Sequence, residues 1–564
     1  MKAKYIFSGL LAMTLVSSCT DKMDYKEYNI YDKAYVEKMF GRVGGLMTEI
    51  YNDIDYDFGN YSGAMAGSAT DESVYSHPGN AIEDFYNGAW GPTNAKERVW
   101  KSAWDGITYS NLVLDEFNDC TFPEYTEDEH YRQQMFLYKN YRYEARWARA
   151  FFYFELVKRY GGVPLKTRTM TATEANSLPQ VPADSIFAFI DKECADIQDS
   201  IIVNYGDLGD MSYYKAQTGR ANKLAVMALR ARAALYWASP LFNTNGDKSR
   251  WLKAAQLSNA VIAEARQEGM GLLPDYSKLF DKDSYKDGIK EIIFARRTAA
   301  SNAFEKYNYP IGIENADGGN CPTQNLVDAY EMTNGKAIDE QGSGYDPQDP
   351  YKDRDARLAM TVAVNGEKWP DKDTLKTFEG GANSSSVTYG TPTGYYLKKY
   401  INKGTIIAKT GSNSFTHEWV IFRLAEFYLD YAEAALNYTG SGYTAPEGLP
   451  MTAAQAINVV RTRAKQPNMA TGLSFDTFKK KYENERFVEL AFEGHRFFDL
   501  RRWKEAPQYL RDIRGMKITR RDDGTMKYEG KTIATRTWDD KWYLFPFPQK
   551  DVLNCHLTQN EGWK

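Results

Sequence analysis

The chain has no excess of positive charge, and this absence removes one class of partner. Its 564 residues include 70 lysine and arginine residues against 75 aspartate and glutamate residues, which gives a formal net charge of −5. A nucleic-acid-binding protein needs a basic surface to neutralise phosphates. The composition therefore argues against a nucleic-acid partner.

Residues that serve as nucleophiles or metal ligands are scarce. There are five histidines and five cysteines, and no histidine has a close histidine partner. We find no nucleophile elbow, His-Glu-x-x-His, P-loop or dinucleotide fingerprint. We therefore expect neither enzymatic activity nor a cofactor. The cysteines that follow Cys19 are widely spaced and lack a metal-binding pattern, so we expect isolated thiols rather than disulfides: Cys120, Cys194, Cys321 and Cys555.

Two short patterns suggest chemistry but have plainer explanations. Glu489 and Glu493 lie one helical turn apart, like the paired carboxylates of a glycosidase, but Arg486 and Arg496 flank them. We interpret this group as ion pairs. The segment Asn243–Asp247 alternates oxygen-bearing side chains like the start of a calcium-binding EF-hand loop, but the closing glutamate is missing. An Asx-rich turn is the favoured interpretation.

Long apolar runs are also missing, except at the N-terminus. Lys2 and Lys4 precede an apolar run over residues 6–16 that has the length of a signal-peptide core and is too short to span a bilayer. Small residues then lead to Cys19, as at a lipoprotein cleavage site. We predict that residues 1–18 are a signal peptide, that Cys19 is acylated, and that residues 19–35 tether the protein to a membrane. The alternative is an ordinary secretory signal with a chance cysteine.

Most of the remaining sequence has the apolar i, i+3, i+4 spacing of helices. Small alanine residues recur on the predicted helix faces and would let antiparallel helices approach closely, although no clean 34-residue period is present. We predict an all-α fold, a tetratricopeptide-like helical-repeat scaffold over residues 36–300 and 416–564. The predicted helices are Val99–Phe117, Tyr131–Arg159, Asp184–Ile201, Ala221–Ala238, Arg250–Arg266, Phe422–Asn437, Thr452–Ala464 and Phe475–Phe492.

Two regions depart from this helical pattern. Residues 301–415 are rich in Gly, Asn, Asp, Tyr and Thr, and we predict a loop-rich insertion there. Residues 61–90 form a second irregular region with several glycines. Long loops on a helical scaffold are more often functional than structural. We expect the two regions to converge over one face of the array and to carry the ligand site.

Aromatic residues are abundant, with 41 tyrosines and 12 tryptophans. Tyrosine and tryptophan rings have flat apolar faces with a polar edge, and such faces stack on the C–H surfaces of sugar rings. We predict that rings on the two irregular regions bind glycan, and Trp90 is the first candidate because Gly and Asn surround it. His77, Phe304 and Tyr389 lie in the same regions. The predicted glycan-binding residues are Trp90, Tyr75, Tyr86, Phe85, Tyr307, Tyr309, Trp369 and Tyr395.

Four segments carry a family resemblance, in family order along the chain. Tyr143–Leu165 resembles the signature helix of the SusD/RagB family, the surface glycan-binding lipoproteins of Bacteroidetes-type bacteria. Arg423–Ala434 resembles a repeat helix of that family, and Glu485–Trp503 resembles its C-terminal helix and turn. Tyr543–Gln549, followed by residues 559–563, resembles its closing segment.

This resemblance implies a function and a partner. The protein would be a non-catalytic glycan-binding lipoprotein on the surface of the outer membrane. It would deliver oligosaccharides to a SusC-like TonB-dependent transporter without any cofactor. The alternatives are a helical-repeat module that binds a protein or peptide and no sugar, and a glycoside hydrolase.

Overall fold

The structure is a computed structural model, and it describes residues 33–208, 219–287, 290–370 and 373–564. The predicted signal peptide, Cys19 and most of the tether lie outside the described residues. The helices are α1 (Lys33–Val36), α2 (Phe40–Asn52), α3 (Asp84–Asn87), α4 (Arg98–Glu116), α5 (Tyr131–Tyr160), α6 (Ala172–Asn176), α7 (Ala183–Ile197), α8 (Lys223–Ala238), α9 (Lys248–Gln267), α10 (Ser284–Asp287), α11 (Ala303–Asn308), α12 (Gln324–Ala329), α13 (Ala356–Thr361), α14 (Leu424–Thr439), α15 (Ala453–Arg463), α16 (Phe475–Glu489), α17 (Arg496–Arg502), α18 (Ala506–Tyr509) and α19 (Gln549–Asn554).

Neighbouring long helices pack side by side, as expected for a helical-repeat array. Helix α4 packs on α5, α5 on α7, α7 on α8, and α8 on α9, and α9 then contacts α14. The predicted helices all exist, with ends shifted by a few residues. Strong apolar periodicity made them predictable. The all-α, tetratricopeptide-like fold is confirmed.

Helix α5 lies between neighbouring helices because it is apolar on two faces. Trp147, Phe151 and Phe154 on one face and Phe152 and Leu156 on the other are at most 2% exposed. The indole of Trp147 donates a hydrogen bond to the Ala225 carbonyl of α8 at 3.1 Å. The helix ends at Gly161, whose φ of +70° favours glycine.

The fold also contains pairs of strands that were not predicted, and the paired strands range from neighbours in a hairpin to segments some 250 residues apart. Each pair is antiparallel: β1 with β5, β2 with β3, β4 with β8, β6 with β7, and β9 with β10. The strands are β1 (Ser73–Tyr75), β2 (Val163–Pro164), β3 (Gln180–Val181), β4 (Ile292–Arg297), β5 (Asn320–Pro322), β6 (Val362–Ala363), β7 (Tyr396–Leu397), β8 (Glu418–Arg423), β9 (Asp512–Arg520) and β10 (Met526–Thr535).

The 301–415 region is irregular, as predicted. Within its described residues the helices α11, α12 and α13 have six residues each. The division into helical parts and an insertion stays a prediction, because these short elements do not by themselves define domain boundaries. Among the described residues, no helix is long and apolar enough to cross a membrane.

A buried network of ion pairs holds the C-terminal helices together. Arg423 on β8 donates to Glu489 at 2.6 Å and to Glu493 at 2.6 Å, and Arg357 on α13 donates to Glu489 at 2.8 Å. Burial opposes ionisation of Glu489, but the surrounding arginines hold its pKa well below the usual range. The interpretation of this glutamate pair as ion-paired residues is confirmed.

Candidate functional site

The two irregular regions meet because β1 pairs with β5. In this pairing Tyr75 lies opposite Asn320. Beyond the strands, the backbone N–H of Ser76 donates to the Gly319 carbonyl at 2.9 Å. The imidazole Nε2 of His77 lies 2.7 Å from the Asp317 carbonyl oxygen. The prediction that these regions converge is confirmed.

Four rings from the two regions line up at this junction, and we call them the aromatic loop cluster: Tyr75, His77, Tyr307 and Tyr389. The rings of His77 and Tyr389 stack in parallel with centroids 3.8 Å apart, and the rings of Tyr75 and His77 are 5.2 Å apart. A Cβ on Gly63 would touch both the Tyr75 hydroxyl and the Tyr307 ring. The cluster is therefore continuous from Tyr307 to Tyr389.

Two members of the cluster expose their rings to solvent. Tyr389 is 47% exposed and Tyr307 is 38% exposed, whereas Tyr75 is 7% exposed. Across the residues that the structure describes, neither exposed hydroxyl has a protein hydrogen-bond partner. The cluster thus offers ring faces and free hydroxyls together, which is what a sugar ring requires.

Close backbone approaches fix the loops that carry these rings. Gly318 has φ of +80° and Gly319 has φ of +49°, and a Cβ on Gly319 would overlap the Tyr307 carbonyl oxygen. Tyr389 itself has φ of +62°, which is unfavourable for a bulky residue. Such conformations cost about 1–3 kcal/mol and cluster at binding sites.

The surroundings of Tyr75 keep its phenol neutral. Burial raises the pKa of Tyr75, and the neighbouring Asp317 carboxylate raises it further. Tyr75 is therefore a protonated hydrogen-bond donor at neutral pH. The Asp317 side chain is half-buried and adds a polar group beside the rings.

The structure corrects the prediction for Trp90 and Phe85. Trp90 is 3% exposed and Phe85 is 2% exposed. The Trp90 ring contacts Phe85 at 4.7 Å, Phe545 at 4.7 Å and Trp563 at 5.1 Å between centroids. These rings form part of the core, because the C-terminal segment packs over the loop, and they offer no face to a ligand.

The same correction applies to three rings of the second region. Tyr309, Trp369 and Tyr395 are at most 2% exposed. The Tyr309 hydroxyl donates to the Asn402 carbonyl at 3.0 Å, and the Tyr395 hydroxyl donates to Gln324 Oε1 at 2.5 Å. Hydrogen bonding of the phenols is what allows these tyrosines to be buried.

Tyr86 takes an intermediate position. It is half-buried, and the guanidinium of Arg536 lies 4.0 Å from its ring centroid. One face of this ring is therefore occupied by a cation rather than open to a sugar. Of the eight predicted rings, the structure brings Tyr75 and Tyr307 into the aromatic loop cluster and places the other six outside it.

The cluster also includes two residues that the sequence analysis did not select, His77 and Tyr389. Both stand in the two irregular regions named above. Three serines, Ser384–Ser386, stand shortly before Tyr389, and Gly390 follows it, and this context is a signal for an exposed loop. Trp90 has a similar context, so composition alone does not separate the exposed ring from the buried one.

The remaining chemical patterns are engaged in local structure. Asn243 Oδ1 accepts from the Asp247 amide at 2.9 Å, and Asp247 Oδ1 accepts from the Ser249 amide at 2.8 Å, as in the expected Asx-rich turn. Within the described ranges, no group of three metal-ligating side chains is found. The four described cysteines are free thiols, as predicted.

The structure thus places the chain in a class of tetratricopeptide-like proteins. Their scaffold is an all-α helical repeat, and in this chain the irregular loops on that scaffold carry a row of aromatic rings. Two family models match this chain. One, described as the SusD family, matches residues 290–563, and the other, described as "Starch-binding associating with outer membrane", matches residues 23–235. The chain belongs to the SusD/RagB family.

Curated relatives agree with this assignment. The chain is 26% identical over 381 residues to SusD-like protein P2 of Formosa agariphila, an alignment that covers 64% of each protein. It is 24% identical over 449 residues to SusD-like protein P25 of the same organism, covering 74% of this chain and 71% of the relative. The first alignment thus spans slightly less than two thirds of the relative.

Solved structures share the fold along most of the chain. A SusD-like protein of Bacteroides fragilis has a TM-score of 0.75 at 23% identity, covering 93% of this chain and 98% of that one. A SusD-like carbohydrate-binding protein of the same species has a TM-score of 0.72 at 20% identity, covering 92% and 99%. Surface glycan-binding protein A of Bacteroides fluxus has a TM-score of 0.60 at 19% identity, covering 93% and 99%.

Proposed function

We propose that this protein binds an oligosaccharide at the aromatic loop cluster and passes it on without cleaving it. The observation that carries the proposal is the pair of exposed rings, Tyr307 and Tyr389, joined by Tyr75 and His77 at the junction of the two loop regions. Sugar rings stack on such faces, and the free phenol hydroxyls and Asp317 supply hydrogen bonds to sugar hydroxyls.

The family supports glycan as the ligand class. One matching family model is described as starch-binding, and two of the similar structures are a carbohydrate-binding protein and a surface glycan-binding protein. Those descriptions belong to the relatives, and the aromatic loop cluster gives this chain a surface of the same chemistry.

The proposal also includes a place and a partner. Acylation of Cys19 would anchor the protein to the outer membrane, and a SusC-like TonB-dependent transporter would receive the glycan. The sequence before Cys19 and the family model described as associating with the outer membrane support this part. Glu489 and Glu493, the one carboxylate pair considered for hydrolysis, are both held ionised by buried cations, which leaves that pair without a general acid.

The test is calorimetry with oligosaccharides of starch, fructan, xylan and pectin against wild type and Tyr389→Ala. Stacking of a ring on an aromatic face contributes about 1–3 kcal/mol, by analogy with bases on aromatic side chains. We expect Tyr389→Ala to weaken the cognate glycan at least tenfold, which corresponds to about 1.4 kcal/mol.

The matched control is Phe136→Ala, which removes a 53% exposed ring from α5, a helix outside the two irregular regions. This variant should bind like wild type. Equal affinities of Tyr389→Ala and wild type, with both proteins folded, would remove the aromatic loop cluster from the proposal.

A further inference from the structure

A second cleft lies on another part of the molecule and shares no lining residue with the aromatic loop cluster. Its volume is about 540 Å³, which falls within the range of small-molecule sites, roughly 300–1,000 Å³. Helix α4, the segment after α5 and the C-terminal helix α19 surround it. Its apolar lining consists mainly of Trp100, Trp104, Pro164, Leu178 and Leu557.

The cleft contains a buried cation, Lys166, that has no counter-ion among the residues the structure describes. Lys166 is 8% exposed, and its ammonium donates one hydrogen bond, to Thr108 Oγ1 at 3.0 Å. An ammonium has three donors. Throughout the described part of the chain, no carboxylate lies within ion-pair distance of it, and burial lowers its pKa. Most other buried cations of this protein, such as Arg423 and Arg502, have carboxylate partners.

The acidic residues that line the cleft do not pair with Lys166. Asp551 Oδ2 accepts from the Trp100 indole at 2.8 Å, and Glu97 pairs with Lys550 at 2.7 Å. Asp105 is exposed to solvent. Each of these carboxylates is therefore either engaged or solvated. Among the described lysines of the lining, Lys101 is exposed to solvent and Lys550 pairs with Glu97, so Lys166 is the buried ammonium that lacks a carboxylate partner.

The position of Lys166 is held firmly by its backbone. Its N–H donates to the Tyr153 hydroxyl at 2.6 Å, and its carbonyl accepts from the same hydroxyl at 3.0 Å and from Asn111 at 3.2 Å. Trp104 and Thr108 lie one turn apart on the same face of α4, so the indole is close to the ammonium-binding hydroxyl. A preorganised cation beside an aromatic ring costs little to order on binding.

We propose that this cleft binds an acidic sugar unit, with its carboxylate on Lys166 and its ring against Trp104. A ligand carboxylate would supply the missing counter-ion and two strong acceptors. The choice of a sugar rests on the proposed function, whereas the choice of an anion rests on Lys166 alone.

The experiment compares D-glucuronate with D-glucose, and D-galacturonate with D-galactose, by saturation-transfer NMR. Sodium sulfate is the control that tests whether an anion without a sugar ring is sufficient for binding. Alkylation of Cys555, a half-buried thiol in the cleft lining, provides a second readout, and half-buried Cys120 provides its internal control. We expect a uronate to give at least threefold more transfer than its neutral partner and to slow Cys555 alkylation at least twofold without affecting Cys120.

Lys166→Met should abolish the difference between uronate and neutral sugar, and Lys166→Gln, which can still bond to Thr108, should do the same. The matched control is Lys550→Met, because Lys550 lines the same cleft but is paired with Glu97. It should keep the difference, as should Tyr389→Ala, which tests the proposed function separately.

Three results would overturn the proposal. The first is that wild type shows no preference for either uronate over its neutral partner. The second is that folded Lys166 variants keep that preference. The third is that sulfate alone protects Cys555 from alkylation as well as the uronates do, because the ligand would then be an inorganic anion and not a sugar. Equal glycan affinities of folded Tyr389→Ala and wild type, with the uronate preference intact, would contradict only the proposed function.

Discussion

At the scale of single residues, exposure depends on partners that are far away in sequence. Trp90 and Tyr389 both stand among small residues in irregular regions. The Trp90 indole is covered by Phe545 and Trp563, more than 450 positions further along the chain, whereas Tyr389 stacks on His77 and keeps its outer face open. Local composition identified the regions that carry the aromatic loop cluster, but it holds no information about such distant contacts.

Trp90→Ala is therefore expected to reduce stability rather than to act on ligand directly. Replacing a buried Trp by Ala removes its packing and leaves a cavity, at a cost of about 3–5 kcal/mol. Denaturant unfolding followed by circular dichroism measures the change. Phe136→Ala, which removes an exposed ring of α5, serves as the control, with an expected change within about 0.5 kcal/mol of zero.

An unchanged unfolding midpoint for Trp90→Ala would contradict the core assignment of this ring. A loss of glycan affinity in a Trp90→Ala protein of wild-type stability would restore the original prediction that the indole contacts ligand.

At the scale of secondary-structure elements, the apolar periodicity of the sequence determined which helices and strands could be predicted. Helices such as α5 and α8 were predicted within a few residues because their apolar stripes are long. The β9–β10 hairpin was missed, although Asp523–Gly524 between its strands is a known hairpin-turn signal. The pairing of β1 with β5 spans some 250 residues, and no local pattern predicts it.

The turn after α5 gives a test at this scale. Gly161 has positive φ, but Gly162 does not. Gly162 is required for a different reason, because a Cβ there would overlap the Val181 carbonyl oxygen on β3. Gly162→Ala should lower the free energy of unfolding by about 1–3 kcal/mol through overpacking.

The control for this prediction is Gly404→Ala. Gly404 has no positive φ, and a Cβ there would meet nothing within 4 Å. Thermal unfolding of both variants under the same conditions separates close packing from a general effect of losing glycine, and equal melting temperatures would contradict the packing argument.

At the scale of the whole molecule, the irregular region over residues 61–90 makes buried contacts with the C-terminal part of the chain. Arg496 pairs with Asp71 at 2.6 Å, and the Phe492 amide donates to Glu72 at 2.8 Å. Arg536 donates to the Thr70 carbonyl at 2.7 Å. These buried contacts join the family's C-terminal segment to the loops that carry the aromatic cluster. The conformation of these loops therefore depends on residues in both the N-terminal and the C-terminal parts of the sequence.

The proposed anchor concerns how this whole molecule is held at the cell surface, and it gives the last prediction. A signal-like apolar run precedes Ser17-Ser18-Cys19, and acyl chains on Cys19 would bind the bilayer with about 0.8 kcal/mol per buried methylene. In a bacterial host that processes lipoproteins, the wild-type protein should incorporate an alkyne-labelled palmitate, and Cys19→Ala should not.

Sedimentation is a poor readout, because an uncleaved apolar segment would itself hold the variant in a membrane. Ser18→Ala, which keeps the thiol and a small residue before it, should still be labelled. Palmitate incorporation into Cys19→Ala equal to that of wild type would contradict the anchor, while leaving the aromatic loop cluster and its test unaffected.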